Sequence, residues 1–476
     1  MKYSMLLALP ALQEVLSSSF RQVKYSLFPP LSLLTIAGMT PEEKYDVTVR
    51  DEHVEKIDDG RSYDIVGMTV YISSAKRSYQ LADMYRRRGA KVVLGGIHPT
   101  SMPEEAAQHA DAICMGPAEP VWPQILRDFE KGRLGKIYKG ECRGSASLVP
   151  LAKRGLMNRK AYLVKNTMVL SRGCPNACDF CYKAGFWGKS YYERRPFDGI
   201  EKELSGMEGG FVFFLDDNFM ADRSRARDVF SRLRDSGMVW QASADLDAAG
   251  EPGFLEEAYE AGCRSLFVGF ESLSAENMRA NSKKVNASAD YGRAVKRFHD
   301  AGIMINGSFV FGFDCDGPDV FARTLDFAIE NRIETATFHI LTPFPGTPLF
   351  DRMRKQGRLL HRDWDLYDTR HAVFRPKCIT PGKLEDGYNL AYRDFYKYGS
   401  ILRRSLGLPG ALKRIAYNVG WRKMDSLWSF AIKAGMISFI RPIFERILAS
   451  GTRRAGLSGE SYPSAAVSAA PAATVN

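Results

Sequence analysis

Ser171-Arg172-Gly173-Cys174-Pro175-Asn176-Ala177-Cys178-Asp179-Phe180-Cys181-Tyr182 places three thiols within eight residues, spaced C-x3-C-x2-C. The segment follows the β-branched and apolar run at 166–170, so it reads as a loop at a strand's C-terminal end, where three side chains can turn toward one point. Soft thiolates suit iron–sulfur clusters, and three of them hold three irons of a [4Fe–4S] cube while the fourth stays open to a small molecule. A structural zinc site wants four N or S ligands, usually as paired C-x2-C knuckles. No fourth Cys or His lies within thirty residues on either side, which disfavours zinc.

With aromatic Phe180 directly before the third Cys, the motif resembles the signature of radical S-adenosylmethionine (SAM) enzymes. The resemblance implies that Cys174, Cys178 and Cys181 are the metal ligands and that the open iron chelates the amino and carboxylate groups of SAM. It implies that a reduced cluster splits SAM into methionine and a 5′-deoxyadenosyl radical able to take hydrogen from an unactivated carbon. The electron would come from a reductant such as flavodoxin or ferredoxin.

At 476 residues the chain is long enough for two or three domains with substantial cores. Cys114, Cys142, Cys263, Cys315 and Cys378 are scattered and form no secreted-type disulfide framework, which argues for a reducing cytosol. The apolar stretch 5–12 lacks a small-residue cleavage site and reads as a first buried strand. No apolar run reaches the roughly 18 residues of a spanning helix. Eleven Lys or Arg fall between 401 and 454 against only Asp425 and Glu445, so most of the formal charge of +11 belongs to one segment. Such a segment favours anionic partners, while the nearly neutral body argues against nucleic acid.

Short apolar runs at 2–10, 45–51, 64–70, 90–94 and 112–115 alternate with helical patterns such as 74–88 and 119–131. That alternation predicts an α/β, doubly wound parallel sheet over 1–135. Gly95-Gly96-Ile97-His98-Pro99-Thr100 follows the fourth strand, where such sheets bind ligands beyond their strand ends. The order resembles the Rossmann-like cobalamin-binding domain that precedes the catalytic domain in many radical SAM enzymes. Gly95, Gly96 and Thr100 then stand where backbone approaches the corrin or its nucleotide tail. Two features depart from that pattern. Gly116-Pro117-Ala118-Glu119 replaces Gly-Glu-x-Glu, and no His follows the first strand. Asp51-Glu52-His53 resembles the start of D-x-H-x-x-G, but it follows the second strand with Lys56 in place of Gly, and is read as unrelated. The resemblance therefore implies cobalt without a His ligand, as in the methylases of this type. A degenerate domain that cradles substrate is the other reading.

A loop-rich connector spans 136–160, and repeated βα units over 161–385 predict an open (β/α)6 barrel, the radical SAM catalytic fold. Predicted strands are 167–171, 210–215, 239–244, 265–269, 303–313 and 334–341; active sites of such barrels gather at strand C-terminal ends. Asp216-Asp217-Asn218 ends the second strand and is similar to the SAM-amine segment of cobalamin-linked members. Gln241 and Ser243 on the third strand face the ligand or alternate with buried neighbours. Glu271 ends the fourth, placed to hold ribose hydroxyls or the methionyl group of SAM. Gly307 and Gly312 resemble the glycine segment against which adenine lies, though strand glycines also mark bulges. Thr342-Pro343-Phe344-Pro345-Gly346-Thr347-Pro348 closes the sixth strand as in the same enzymes. His339, polar on an apolar strand, reads as a hydrogen-bonded core residue or as the one candidate proton acceptor.

Residues 386–450 form a basic amphipathic helical region, whose stretch 402–449 suits either a cap on the barrel or a membrane interface; 451–476 is predicted to be a disordered tail. The reading is a cytoplasmic enzyme, either free or peripheral to the membrane's inner face, that performs cobalamin-dependent C-methylation of a hydrophobic or anionic, even lipid-like, biosynthetic intermediate. The alternatives are cobalamin-independent radical cyclisation, carbon–carbon coupling or rearrangement, and, from another class, a non-catalytic iron–sulfur redox sensor.

Overall fold

The computed structural model describes residues 2–17, 27–58, 60–207, 209–283, 290–408, 410–422 and 425–449; the predicted tail at 451–476 lies outside them. The first sheet holds β1 (Tyr3–Leu9), β2 (Tyr45–Asp51), β3 (Ile65–Thr69), β4 (Lys91–Gly95), β5 (Ala112–Met115) and β6 (Ile137–Lys139), ordered β2-β1-β3-β4-β5-β6. All pairs are parallel. Such a sheet is covered on both faces, and β1 shows why its sequence is a continuous apolar run. Met5 and Leu7 pack with Leu34 and Trp122 on one face, while Leu6 and Ala8 pack with Leu81 and Tyr85 on the other. Chain order reverses between β1 and β3, which puts the ligand crevice of this topology at their C-terminal ends.

β6 lies inside the stretch read as connector. Only Tyr138 of its three residues turns inward and Ile137 is exposed, so its pattern is too short to stand out in the sequence.

The second sheet is six-stranded and parallel: β7 (Thr167–Met168), then, after a hairpin-like excursion, β10 (Phe211–Phe214), β11 (Val239–Ala244), β12 (Cys263–Glu271), β13 (Met304–Phe311) and β14 (Thr335–Ile340), joined in the order β14-β13-β12-β11-β10-β7. The excursion is β8 (Ser171–Gly173), antiparallel to β9 (Tyr192–Arg194). The single strand predicted over 167–171 is thus split. The carboxylate of Asp216 takes the Leu170 N–H at 3.0 Å and the Ser171 hydroxyl at 2.5 Å, replacing the ladder partners of a continuing strand. Phe270, Phe309, Phe311 and Phe338 form the ring-packed layer beneath the helices Val320–Glu330 and Pro381–Phe395.

Helices Tyr398–Ser405, Ala411–Arg422, Asp425–Lys433 and Ile437–Ala449 follow. Tyr417 and Leu448 pack with Phe211, Val239 and Met304, at or next to the starts of β10, β11 and β13. The segment therefore closes the end of the barrel opposite the strand mouths. Part of its positive charge is turned inward: Arg404 donates to the carbonyls of Ile333, Glu334 and Phe395, Arg414 pairs with Glu334, and Arg441 donates to those of Arg159 and Tyr162. No helix among the described residues is long and apolar enough to cross a membrane.

Candidate active site

The cysteine loop is the connection between β8 and β9. Gly173 enters it at φ +80°, and a Cβ there would lie 2.1 Å from the Tyr191 carbonyl oxygen, so only glycine lets the two arms close. The loop is pinned from outside: Asp179 N–H donates to the Asn281 carbonyl at 3.1 Å, and its own carbonyl accepts from Leu349 N–H at 3.1 Å. Phe180 meets Phe313 edge-on at 5.6 Å, which gives the aromatic of the motif a packing role.

Cys174, Cys178 and Cys181 all line one cavity of about 200 Å³ at the mouths of β10, β11 and β12. Among the described residues no three Cys, His, Asp or Glu converge on a single-ion position. A [4Fe–4S] cube takes one thiolate per iron, and three thiols lining one cavity match three of its four irons. Burial raises all three thiols, Cys178 to about 12, while Lys183 opposes this at Cys174 and Cys181 and Lys283 at Cys178. Thiols of this kind become thiolates when iron charge compensates.

Opposite the cysteines the wall is polar. Asp217 pairs with Lys183, and its other oxygen, Oδ2, is buried with no hydrogen-bond partner. Asn218 donates from Nδ2 to Asp245 at 2.7 Å, leaving Oδ1 buried and unpartnered. Two idle acceptors in a buried wall are costly unless a donor arrives, and an ammonium group supplies one for each. Glu271 lies at a register shift between β12 and β13, at φ 60°, and pairs with Lys283 at 2.7 Å. Ser243 lines the same wall. The donor set therefore fits a cluster with a zwitterionic ligand beside it.

The structure places several of the expected residues away from the cavity walls. Asp216 is buried away from the cavity and braces the start of the loop; burial lifts its carboxyl to about 6. Gln241 is buried beside Tyr417 of the C-terminal helices and does not line the cavity. Nor do Gly307 and Gly312: a Cβ would strike the Phe309 ring at 2.9 Å in the first case and Leu384 at 2.9 Å in the second, so both glycines serve packing. Thr100 donates to the Gly96 carbonyl at 2.7 Å and accepts from Gly116 N–H at 3.0 Å, joining two turns without lining the slot they form. His339 contacts the Thr369 hydroxyl at 3.1 Å and lies outside the cysteine cavity. Sequence reasoning missed Asp245, Lys183 and Lys283. Asp245 follows β11 and was open to discovery as a polar strand end; Lys283 reaches in from a connection with no periodic signal.

Gly95 and Gly96 stand at the end of β4. With Gly67, Gly116 and Trp122 they line a slot of about 160 Å³ at the mouths of β3, β4 and β5. Gly96 has φ +103°, and a Cβ would sit 3.0 Å from the Val70 carbonyl oxygen. The missing side chains leave a narrow apolar cradle that fits a planar group entering edgewise, as the nucleotide tail of a corrinoid would. A third cavity, about 680 Å³, lies between the domains, walled by Leu9, Tyr71 and Ile97 on one side and Val169, Leu215 and Phe344 on the other. Arg172 lines both slot and cavity and ion-pairs with Glu119 of the first domain. Trp187 lines both the slot and the cysteine cavity, so the three spaces are neighbours around the cysteine loop, with Arg172 and Trp187 as shared walls.

A three-thiol loop, a polar wall beside it and a glycine-lined slot in the neighbouring domain suit a radical enzyme that uses a corrinoid. Comparison with known proteins agrees. Residues 22–126 match the B12 binding domain and 168–328 the radical SAM superfamily. The chain is 32% identical over 392 residues to bacteriochlorophyllide d C-12(1)-methyltransferase of Chlorobaculum tepidum, covering 80% of this chain and 85% of that one. It is 28% identical over 411 residues to the C-8(2)-methyltransferase of the same organism, covering 83% and 91%. The fold is that of the radical SAM methyltransferase TsrM from Kitasatospora setae, at TM-score 0.61 and 14% identity, covering 93% of this chain and 100% of that one. The chain belongs to the radical SAM methyltransferases that carry an N-terminal B12-binding domain.

Proposed function

We propose that the protein methylates a carbon of a flat, hydrophobic, carboxylate-bearing macrocycle of the bacteriochlorophyllide type. The observation that carries this is the 680 Å³ cavity, which is mainly apolar and opens onto the ends of both sheets. Support comes from the two relatives, whose names specify that substrate. When bound, the cluster, SAM and cobalamin supply reductive radical formation and a transferable methyl group. The chain supplies the rest. Asp217 and Asn218 orient the amine of SAM, with Ser243 and Glu271 along the same wall. Gly95 and Gly96 admit the corrinoid tail. The apolar wall holds the macrocycle and excludes water, and Arg172, with its Nε buried and unpartnered, stands at the edge where a substrate carboxylate enters.

The electron comes in this reading from a small external carrier of the flavodoxin or ferredoxin kind. The C-terminal helices expose Leu427, Phe430, Phe439 and Ile443 beside Arg446, while Trp428, Ala431, Ile432 and Ile437 pack on Leu163. We therefore also propose that the cap carries a second apolar face for peripheral contact with an anionic membrane, the route by which a lipophilic substrate reaches the enzyme. The test of function is anaerobic incubation of the reconstituted protein with methyl-deuterated SAM, a reductant and bacteriochlorophyllide d. A labelled methyl in the macrocycle supports the reading; a macrocycle altered without gaining carbon sinks it. Failure of the full chain to float with anionic vesicles at low salt removes the membrane proposal alone.

A further inference from the structure

Lys283 is a lysine almost entirely buried in the wall of the cysteine cavity, with only 6% of it exposed. Its ammonium donates to the Glu271 carboxylate at 2.7 Å and to the Gly269 carbonyl at 3.1 Å, at the register shift between β12 and β13. Gly269 permits the approach, since a Cβ there would lie 3.0 Å from Lys283 Nζ and 2.6 Å from Glu271 Oε1. A buried ion pair adds little to stability over an apolar pair of similar volume, so bracing alone does not explain a charge in this wall. The pair has a third neighbour, Cys178. Burial raises that thiol to about 12, and Lys283 is the next influence on it, opposing the rise more than Glu271 adds to it. The thiol therefore feels the cation more strongly than the cation's own counter-ion. Burial by itself would lower the Lys283 ammonium, but Glu271 and Cys178 hold it above the ordinary lysine range, so the side chain stays charged.

We propose that Lys283 is a positioning residue for charge: acting through Cys178, it raises the reduction potential of the cluster held by the three cysteines. Reduction brings one electron from the external carrier and forms or breaks no bond, so the site only gains negative charge. A fixed cation beside one thiolate favours that form, and net charge around the sulfurs is a main determinant of such potentials. In a buried wall the attraction is screened little by salt. The inference depends on the three-cysteine site and not on the substrate class given under Proposed function.

The experiment is a potentiometric titration of the reconstituted, cobalamin-loaded full chain without SAM, reading the reduced cluster by electron paramagnetic resonance. Lys283→Met should make reduction harder by about tenfold in its equilibrium constant, a fall of about 59 mV for one electron. Lys283→Arg keeps the charge and should stay near the wild-type value. Glu271→Gln removes the counter-charge and should move the potential the other way. A bracing role gives no such reversal of sign, because losing either partner loosens the same wall. Visible cluster absorption and corrin retention identify variants that are folded and loaded. An unchanged potential in loaded Lys283→Met overturns the inference, and so does a shift of the same sign in Lys283→Met and Glu271→Gln. If Lys283→Met takes up no cluster, Glu271→Gln decides alone: a raised potential supports the inference, and an unchanged or lowered one overturns it. Weaker SAM binding by Lys283→Met at an unchanged potential also overturns it, by assigning the ammonium to the carboxylate of SAM.

Discussion

The two cavities that meet at the cysteine loop are built from opposite chemistry. The smaller carries ion pairs in its wall, Lys183 with Asp217 and Lys283 with Glu271, and keeps two buried oxygens idle. The larger is walled mainly by aliphatic and aromatic side chains of two domains. A charged, zwitterionic ligand gains from fixed charges that are already desolvated, whereas a hydrophobic ring gains from area removed from water and from few, well-placed polar groups. With SAM in the first and the macrocycle in the second, as proposed above, reagent and substrate are held by different forces, and each can be weakened without the other.

The largest expected effect is at the cluster. Cys178→Ala should lose the visible absorption of the cluster and all formation of 5′-deoxyadenosine, while corrin retention after desalting stays at the wild-type level; Cys263→Ala should change neither. Next is the slot. Gly95→Leu fills the cradle with a side chain, so corrin retention should fall to background and methyl transfer with it, while reductive SAM cleavage persists uncoupled. If Gly95→Leu keeps its corrin, the slot is not where the cofactor enters.

Asp217→Ala should weaken SAM binding about ten- to a hundredfold, as expected for a charged hydrogen bond worth about 1.5–3 kcal/mol. Affinity for the macrocycle should not move, and a parallel loss of both would erase the contrast between the cavities. The smallest effect concerns Gln241. Tyr417→Phe removes the hydroxyl beside it and should cost about 1 kcal/mol of stability without changing the KM for SAM. A raised KM in Gln241→Ala would return that residue to the SAM pocket.

What the sequence made legible follows from how local each feature is. The cluster loop, Asp217, Asn218, Ser243, Glu271 and the Gly95-Gly96 turn each lie at a strand end, and strand ends are readable from periodicity. Gly307 and Gly312 resembled an adenine cradle, but a glycine leaves the same gap whether a ligand or a phenylalanine fills it. Only the fold shows Phe309 and Leu384 occupying those gaps. Asp216 matched a motif by position, yet just past the end of β10 its carboxylate turns to Leu170 and Ser171, and it is the neighbouring Asp217 that lines the pocket. The C-terminal positive charge read as a surface property. Arg404 and Arg414 are instead buried against barrel carbonyls and Glu334, partners some 70 residues away or more that no local pattern announces.

The central claim is that both cavities serve one methyl transfer. Anaerobic single-turnover reaction of the cobalamin-loaded enzyme with methyl-deuterated SAM and bacteriochlorophyllide d, followed by mass analysis of the pigment, tests it most directly. The account predicts a deuterated methyl on the macrocycle in wild type, and none in Cys178→Ala or Gly95→Leu. Label transfer that survives in Gly95→Leu after its corrin is lost, or a wild-type product altered without added carbon, would contradict it.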